Sequence, residues 1–347
     1  MKKKTTIRDI ARMANLSTGT VSKYFNEPER VKDKNREIIK KCIQELDYTP
    51  NMLAQRLATG KSNVILLYMI MESAIHASTW LHQLPIIQTL NDYLRDTDFN
   101  LHIKIDSVEK MQEVGSYIEH NMASKNIDGA IIYSSWTLRN DDVELLKKND
   151  FPFVLIDNDS PILKKNSVIC DNEKMVVDLM EYLIERNHKK IAFIHEQSGH
   201  QDMKDRYNGY LKALKRNAIK KEEHWVLYGD FSIESGVKCV SKMIKKGNLP
   251  SAIVCGNDNM AVGAIKAIHS AGLSVPCDIS VVGIDDSIVA RAIKPTLTTM
   301  KIPMEKMTLY AVKSLLNKIR NSNYEVKKKV FYGELIEGES VSFCHNS

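Results

Sequence analysis

The chain has 347 residues, 43% of them hydrophobic and 27% charged, with a formal net charge of +6. That length points to two or three domains rather than one core, and the composition is that of a folded soluble protein. No apolar run approaches the roughly 18 residues of a membrane span, and Thr-Thr-Ile-Arg-Asp follows the Met-Lys-Lys-Lys start where a signal peptide needs an apolar stretch, so a cytoplasmic protein with no membrane association is expected.

The positive charge is localised. Residues 1–61 carry 14 Lys and Arg against 7 Asp and Glu, which leaves the rest of the chain close to neutral. Charge gathered in one segment is the footprint of a polyanion partner, and helix signals inside the segment favour duplex DNA. The six cysteines show neither metal-ligand nor redox spacing, so free thiols and no metal or cofactor are expected.

The basic segment reads as three short helices. Thr6 followed by Asp9 resembles a capping box, and Ile7, Ile10, Ala11 and Ala14 then recur at helical spacing. Asn15-Leu16 breaks that pattern, and Ser17 is placed to cap a second helix carrying Thr20, Val21, Tyr24 and Phe25. Asn26-Glu27-Pro28 ends it. Asp33 is then expected to cap a third helix, with Ile38, Ile39, Cys42, Ile43 and Leu46 on its buried face. Two short helices joined by a tight turn, with a third completing the core, make a helix-turn-helix unit.

In such a unit the second helix enters the major groove, N-terminal residues first. Thr18, Gly19 and Lys23 point outward if Val21 and Phe25 point inward. Lys23 suits either a guanine edge or a phosphate. Gly19 makes no side-chain contact; it either lets the backbone approach the groove closely or simply weakens the helix.

Three segments of this head resemble the LacI/GalR family of bacterial repressors: residues 6–11 (Thr-Ile-Arg-Asp-Ile-Ala), 16–23 (Leu-Ser-Thr-Gly-Thr-Val-Ser-Lys) and 26–31 (Asn-Glu-Pro-Glu-Arg-Val). Residues 46–57 resemble the family's hinge, and the similarity continues to about Thr299. The resemblance implies DNA contacts from Thr6, Ser17, Thr18, Gly19, Thr20, Ser22, Lys23 and Asn26. It also implies a hinge helix, bracketed here by Pro50 and Gly60, too short to be stable alone. In the family this helix orders on DNA and pairs with its copy in the minor groove. Asn51 and Arg56 would then lie against the DNA, Ala54 would let the two helices approach, and Leu57 would be the apolar wedge between base pairs.

Beyond residue 62 strand-like and helix-like segments alternate. Strands are expected at residues 64–71, 101–105, 129–133, 153–156, 191–195, 252–255 and 280–284, and helices at 84–96, 111–121, 172–187, 206–217, 233–246 and 260–271. This alternation argues for doubly wound parallel sheets, whose ligands bind beyond the C-terminal ends of the strands. The resemblance implies two such subdomains with a cleft between them, like the periplasmic sugar-binding proteins. The expected fold is therefore a small all-α helix-turn-helix head on an α/β body of two doubly wound subdomains. The expected divisions are a head over 1–50, a hinge over 51–61 and an effector-binding and dimerisation body over 62–340. The body divides into one subdomain of about 62–160 with 290–325 and another of about 161–289 with 326–340.

Arg206-Tyr-Asn-Gly-Tyr resembles the family's Arg-x-x-Gly-aromatic motif, and Asn257-Asp258-Asn-Met-Ala resembles its strand-to-helix motif. The resemblance makes Arg206, Asp258 and Asn257 effector contacts and places Phe231 where many members stack an aromatic ring on the ligand. Asp157 ends a strand on the same side. Asp258 alternatively caps its helix, while Asp285 and Asp286 are expected to order a loop or a crossing. Pro295-Thr-Leu-Thr-Thr matches a further family motif, a structural strand return. Many members carry Asn-Pro-Phe-Phe after the first body strand. Residues 72–80 lack it, and Trp80 there offers either a substitute sugar platform or a core residue.

The expected protein is a repressor whose homodimer reads a pseudo-palindromic operator under control of a carbohydrate-type effector, the tail from Asn317 showing no tetramerising heptad. The alternative keeps the DNA-binding role and replaces the sugar with a protein corepressor such as a phosphocarrier protein, or with no effector. Catalysis is not expected: there is no Walker A loop, no Gly-x-Gly-x-x-Gly after the first strand and no Gly-x-Ser-x-Gly turn.

Overall fold

The structure is a computed structural model that describes residues 5–26, 28–48, 61–71, 83–160, 162–196 and 199–344. The chain divides into two compact units, Met1–Ser62 and Asn63–Ser347.

The first unit contains α1 (Ile7–Ala14), α2 (Thr18–Asn26) and α3 (Asp33–Glu45). Ile10, Val21 and Ile39, one from each helix, are wholly buried together, and each contributes about 1.5–3 kcal/mol through the surface it removes from water. Phe25 packs on Tyr48 with ring centroids 5.8 Å apart, closing the open end of this small core. α1 stops at Asn15, whose backbone turns left-handed at φ 53°, a conformation that asparagine tolerates. Asp33 does not cap α3 as expected. Lys32 holds the cap position and Asp33 is the first helical residue, where its carboxylate pairs with Arg36.

The second unit is built on two six-stranded sheets among the described residues, one in each lobe. The first-lobe strands are β1 (Val64–Met71), β2 (Asn100–Ser107), β3 (Gly129–Tyr133), β4 (Phe153–Ile156), β5 (Ser167–Cys170) and β11 (Lys329–Phe331). They are all parallel, in the order β11-β5-β4-β3-β1-β2. The second lobe holds β6 (Ile191–Glu196), β7 (Val226–Gly229), β8 (Ala252–Cys255), β9 (Ser280–Ile284), β10 (Thr298–Lys301) and β12 (Glu334–Ile336), in the order β12-β10-β9-β8-β6-β7. Only the β10–β12 pair is antiparallel. The interior strands read as unbroken apolar runs because both of their faces are covered: every residue of β1, β3, β4, β8 and β9 is buried. Edge strand β2 leaves Ile103 and Ile105 partly open.

The body helices are α4 (Leu84–Leu94), α5 (Val114–Ala123), α6 (Asn140–Lys148), α7 (Asn172–Ile184), α8 (Gln201–Arg216), α9 (Ile233–Lys245), α10 (Asp258–Ser270), α11 (Ile288–Ala292) and α12 (Met304–Arg320). Helices α7 and α8 lie closely enough that a Cβ on Gly209 would collide with the Glu173 carbonyl oxygen. Glycine at that position, three residues after Arg206, sets the guanidinium against the start of α7.

The lobe boundaries differ from the expected ones. β5 and β11 pair with each other in the first sheet, and β10 lies in the second. The chain therefore changes lobe between Cys170 and Asn172, between Lys301 and Met304, and between Phe331 and Glu334, not near residues 160, 290 and 325. The strand partner decides membership, and that pairing is long-range.

Candidate nucleic-acid interface and effector cleft

In the head, Thr6 donates from its backbone N–H to Asp9 Oδ2 at 2.9 Å and from its hydroxyl at 2.7 Å, which fixes the start of α1. Ser17 Oγ accepts from the Thr20 backbone N–H at 3.0 Å and caps α2, with the Thr20 hydroxyl 2.9 Å away. Both residues are thus committed to helix starts. Thr18, Gly19 and Lys23 are exposed on the first turns of α2, Ser22 is half-buried, and Asn26 is the last helical residue. Nothing in the fold requires a glycine at 19: its backbone is ordinary helix, and a Cβ would meet only Ser17 Oγ at 3.7 Å. Arg8, Arg12, Lys32 and Lys34 are also exposed, so the surface of the unit carries several further cations. Asn51, Ala54, Arg56 and Leu57, expected in the hinge, lie outside the described residues, as does Trp80.

The body cleft gathers around Arg206. This side chain is buried, donating from Nε to Asn172 Oδ1 at 2.8 Å and from Nη1 to the Gly256 carbonyl oxygen at 2.6 Å. Its Nη2 lies 3.7 Å from Asp202 Oδ2. Asp157 ends β4 in the first lobe and Asp285 ends β9 in the second, and the fields of both act on the same guanidinium. Burial opposes the Arg206 charge, but Asp202, Asp285 and Asp157 outweigh it and raise its pKa. Burial pushes the carboxyls of Asp157 and Asp285 up; Asp202 adds to both shifts, and Arg206 partly offsets them.

Three residues here also have left-handed backbone. Asp157, Phe231 and Asp285 have φ values of 60°, 64° and 125°. Non-glycine residues in such conformations cost about 1–3 kcal/mol each and cluster at functional sites. All three follow the C-terminal ends of strands, where a doubly wound sheet binds its ligand.

An aromatic row spans the lobes. Trp136, just after β3, lies against His200 with centroids 3.9 Å apart and ring planes tilted by 40°, and His200 meets Phe231 edge-on at 4.9 Å. Alongside, the Gln201 backbone N–H donates to the Ser135 carbonyl oxygen at 3.1 Å. Ser135 in turn donates from Oγ to Asp157 Oδ2 at 3.3 Å.

Two expected contacts have other work. Asn257 caps α10, accepting from Met260 N–H at 2.9 Å, and donates from Nδ2 to the Phe231 carbonyl oxygen at 3.1 Å. Asp258 is wholly buried. Its Oδ1 accepts from the Thr299 hydroxyl at 2.6 Å, and its Oδ2 accepts from the Ser287 N–H and hydroxyl at 2.7 and 2.8 Å. Glycine at 283 permits this, since a Cβ there would collide with Asp258 Oδ1. Asp258 therefore orders the loop that carries Asp285 and Ser287, a role the sequence reading gave to Asp285 and Asp286. Asp286 does order its own loop, accepting from Arg291 Nε at 3.0 Å. Sequence reasoning passed over Asn172, Asp202, His200 and Trp136. Of these, Asp202 carried a usable signal, one helical turn before Arg206 on the same face.

The two units together describe a DNA-binding regulator: a basic helix-turn-helix head and a two-lobed α/β body with a polar cleft. Residues 6–51 match the family of bacterial regulatory proteins of the lacI type, and residues 180–341 match the periplasmic binding protein-like domain. The chain is 30% identical to the probable HTH-type transcriptional repressor ExuR of Bacillus subtilis (strain 168) over 337 residues, covering 97% of this chain and 98% of that protein. It is 32% identical over 341 residues to the HTH-type transcriptional repressor PurR of Erwinia tasmaniensis, covering 97% of each. The crystal structure of the lac repressor dimer bound to operator and the anti-inducer ONPF matches with a TM-score of 0.83 at 26% identity, over 98% of this chain and 100% of that one. The chain belongs to the lacI family of bacterial regulatory proteins. It is a DNA-binding transcriptional repressor with an effector-binding body, not an enzyme, and no described helix is long and apolar enough to cross a membrane.

Proposed function

We propose that this repressor acts in the cytoplasm as a homodimer whose two heads read a pseudo-palindromic operator, and that a carbohydrate-type effector held between the lobes sets its operator affinity. The observation that carries the effector half is Arg206, buried and braced by Asn172 and Gly256, with Asp157 and Asp285 facing it from strand ends in different lobes. A ligand that bridges those two carboxylates ties one lobe to the other. Asp157, Asp202, Arg206 and Asp285 bind hydroxyl pairs, and Phe231 covers an apolar sugar face. Asn257 and Asp258 hold the loops from which these groups project.

In the head, Thr18, Gly19 and Lys23 face the major groove, with Ser22 and Asn26 beside them, while Thr6, Ser17 and Thr20 set the helix starts that meet the phosphates. Residues 51–61 form the hinge: Leu57 is the minor-groove wedge, Ala54 the point where the paired helices approach, and Asn51 and Arg56 the flanking polar contacts. Lobe closure changes the spacing of the two hinges. By linkage, whatever effector does to operator affinity, operator does to effector affinity.

The test is fluorescence anisotropy with an operator selected from a random duplex pool. Leu57→Ala is expected to weaken binding more than ~10-fold, roughly 1.4 kcal/mol, with effector affinity of the free protein unchanged. Equal operator binding by that variant removes the wedge from the mechanism.

A further inference from the structure

The charge balance of the cleft has a consequence for what it holds. The charges of three carboxylates act on a single guanidinium, that of Arg206: Asp202, whose Oδ2 lies 3.7 Å from Nη2, and Asp285 and Asp157 from the strand ends. Arg206 already spends two of its nitrogens on Asn172 and Gly256. Buried negative charge in excess of its compensation is costly, and a ligand that brings positive charge relieves it.

His200 supplies an independent pointer. Its side chain is only 8% exposed, held between Trp136 and Phe231 where the lobes meet. Neither ring nitrogen has a hydrogen-bond partner among the described residues. Nδ1 lies 3.8 Å from Asp202 Oδ1, beyond hydrogen-bond reach. A buried imidazole with no hydrogen-bond partner among the described residues, beside the Asp202 carboxylate, is a site waiting for a donor. Trp136 and Phe231 on either side give the C–H face of a ring something to lie against.

Building on the effector reading above, we infer that the cleft takes a cationic, hydroxyl-rich ligand, an amino sugar in its ammonium form, in preference to the neutral sugar, and that it rejects uronates and sugar phosphates. The ammonium sits among Asp157, Asp202 and Asp285, and the hydroxyls pair with Arg206 and His200. An anion in the same place becomes a further negative charge facing the carboxylates. Because burial, with the charge of Asp202, holds protons on Asp157 and Asp285, arrival of a cation drives protons off them, whereas a neutral sugar does not.

The experiment is isothermal titration calorimetry on the full-length protein with glucose, galactose and mannose and, for each, the 2-amino sugar, the uronate and the 6-phosphate. Each binder is repeated in two buffers of different ionisation enthalpy. The expected result is one amino sugar binding at least ~10-fold tighter than its parent, with net proton release, and no binding by the matching uronate or phosphate. Asp202→Asn is expected to bring the amino-to-parent ratio toward one. A uronate or phosphate that binds as well as the parent, and is lost in Arg206→Ala, overturns the charge selection and leaves the effector cleft standing. An amino sugar no tighter than its parent, or an amino sugar that binds without proton release, does the same. Absence of binding by every member overturns this inference together with the carbohydrate effector on which it rests.

Discussion

Trp136 and His200 pack with ring centroids 3.9 Å apart and planes tilted by 40°, one ring from each lobe. The contact ties one lobe to the other. An aromatic pair of this kind is worth about 0.5–1.5 kcal/mol beyond its buried area. A double-mutant cycle with Trp136→Ala and His200→Ala, read by urea unfolding, should return a coupling in that range. Additive effects would mean that the two rings are neighbours without being a latch.

Removing the central cation should be severe. Arg206→Ala removes the donors to Asn172 Oδ1 and the Gly256 carbonyl and the positive charge that acts on Asp202, Asp285 and Asp157. Breaking one side of a buried charge network costs about 3–5 kcal/mol, measurable by urea unfolding. Arg206→Lys should recover little of it, because an ammonium cannot serve Asn172 and Gly256 from a fixed fork.

Stability should respond to pH through the raised carboxyls. Burial, joined by Asp202, lifts Asp157 to about 7, and burial lifts Asp285 to about 7; an unfolded Asp titrates near ~3.9. Their folded pKa is raised, so their contribution is fully present below the unfolded value and is lost as pH rises through the folded one. His188 and His195, lowered by burial, act in the opposite sense below about pH 6.5. The difference between variants isolates the carboxyls: Asp157→Asn and Asp285→Asn should each gain in Tm relative to the wild type as pH rises from about 5 to about 8. A constant difference across that range would refute the assignment.

Gly19 can be separated into its two readings. Alanine fits the space and the helical backbone, so Gly19→Ala should stabilise the head by about 1 kcal/mol. The fold gives no reason for the glycine, which leaves close approach to the groove; operator affinity should therefore fall at least ~10-fold. A more stable head with unchanged operator binding would show that the glycine only weakens the helix.

What the sequence made legible follows from how each signal is encoded. Strands β3, β4, β8 and β9 were bounded to the residue because parallel strands buried on both faces are short apolar runs. β5, β7 and β12 were passed over because four-residue and shorter strands at or near sheet edges carry mixed residues. The loop-ordering bonds of Asp258 were missed for a different reason. Asp258 and Asp285 both follow buried strands and both are acidic, and only the positions of Thr299 and Ser287 decide which carboxylate is already occupied. The head was read almost completely because its contacts are local. The lobe crossings were misplaced because they depend on which of two sheets a distant strand joins.

The pairing of β11 with β5 and of β12 with β10 also bears on how the chain is made. Among the described residues, 5–48 contain the three α-helices of the head, so that unit can form soon after it leaves the ribosome. Neither body sheet is complete until Lys329–Phe331 and Glu334–Ile336 have emerged. At about 5–20 residues per second, each nascent chain spends roughly a quarter of a minute to a minute with a DNA-binding head and an unfinished body. A message truncated before those last strands therefore yields a product able to touch DNA yet deprived of the element that completes each lobe, and so uncoupled from any effector.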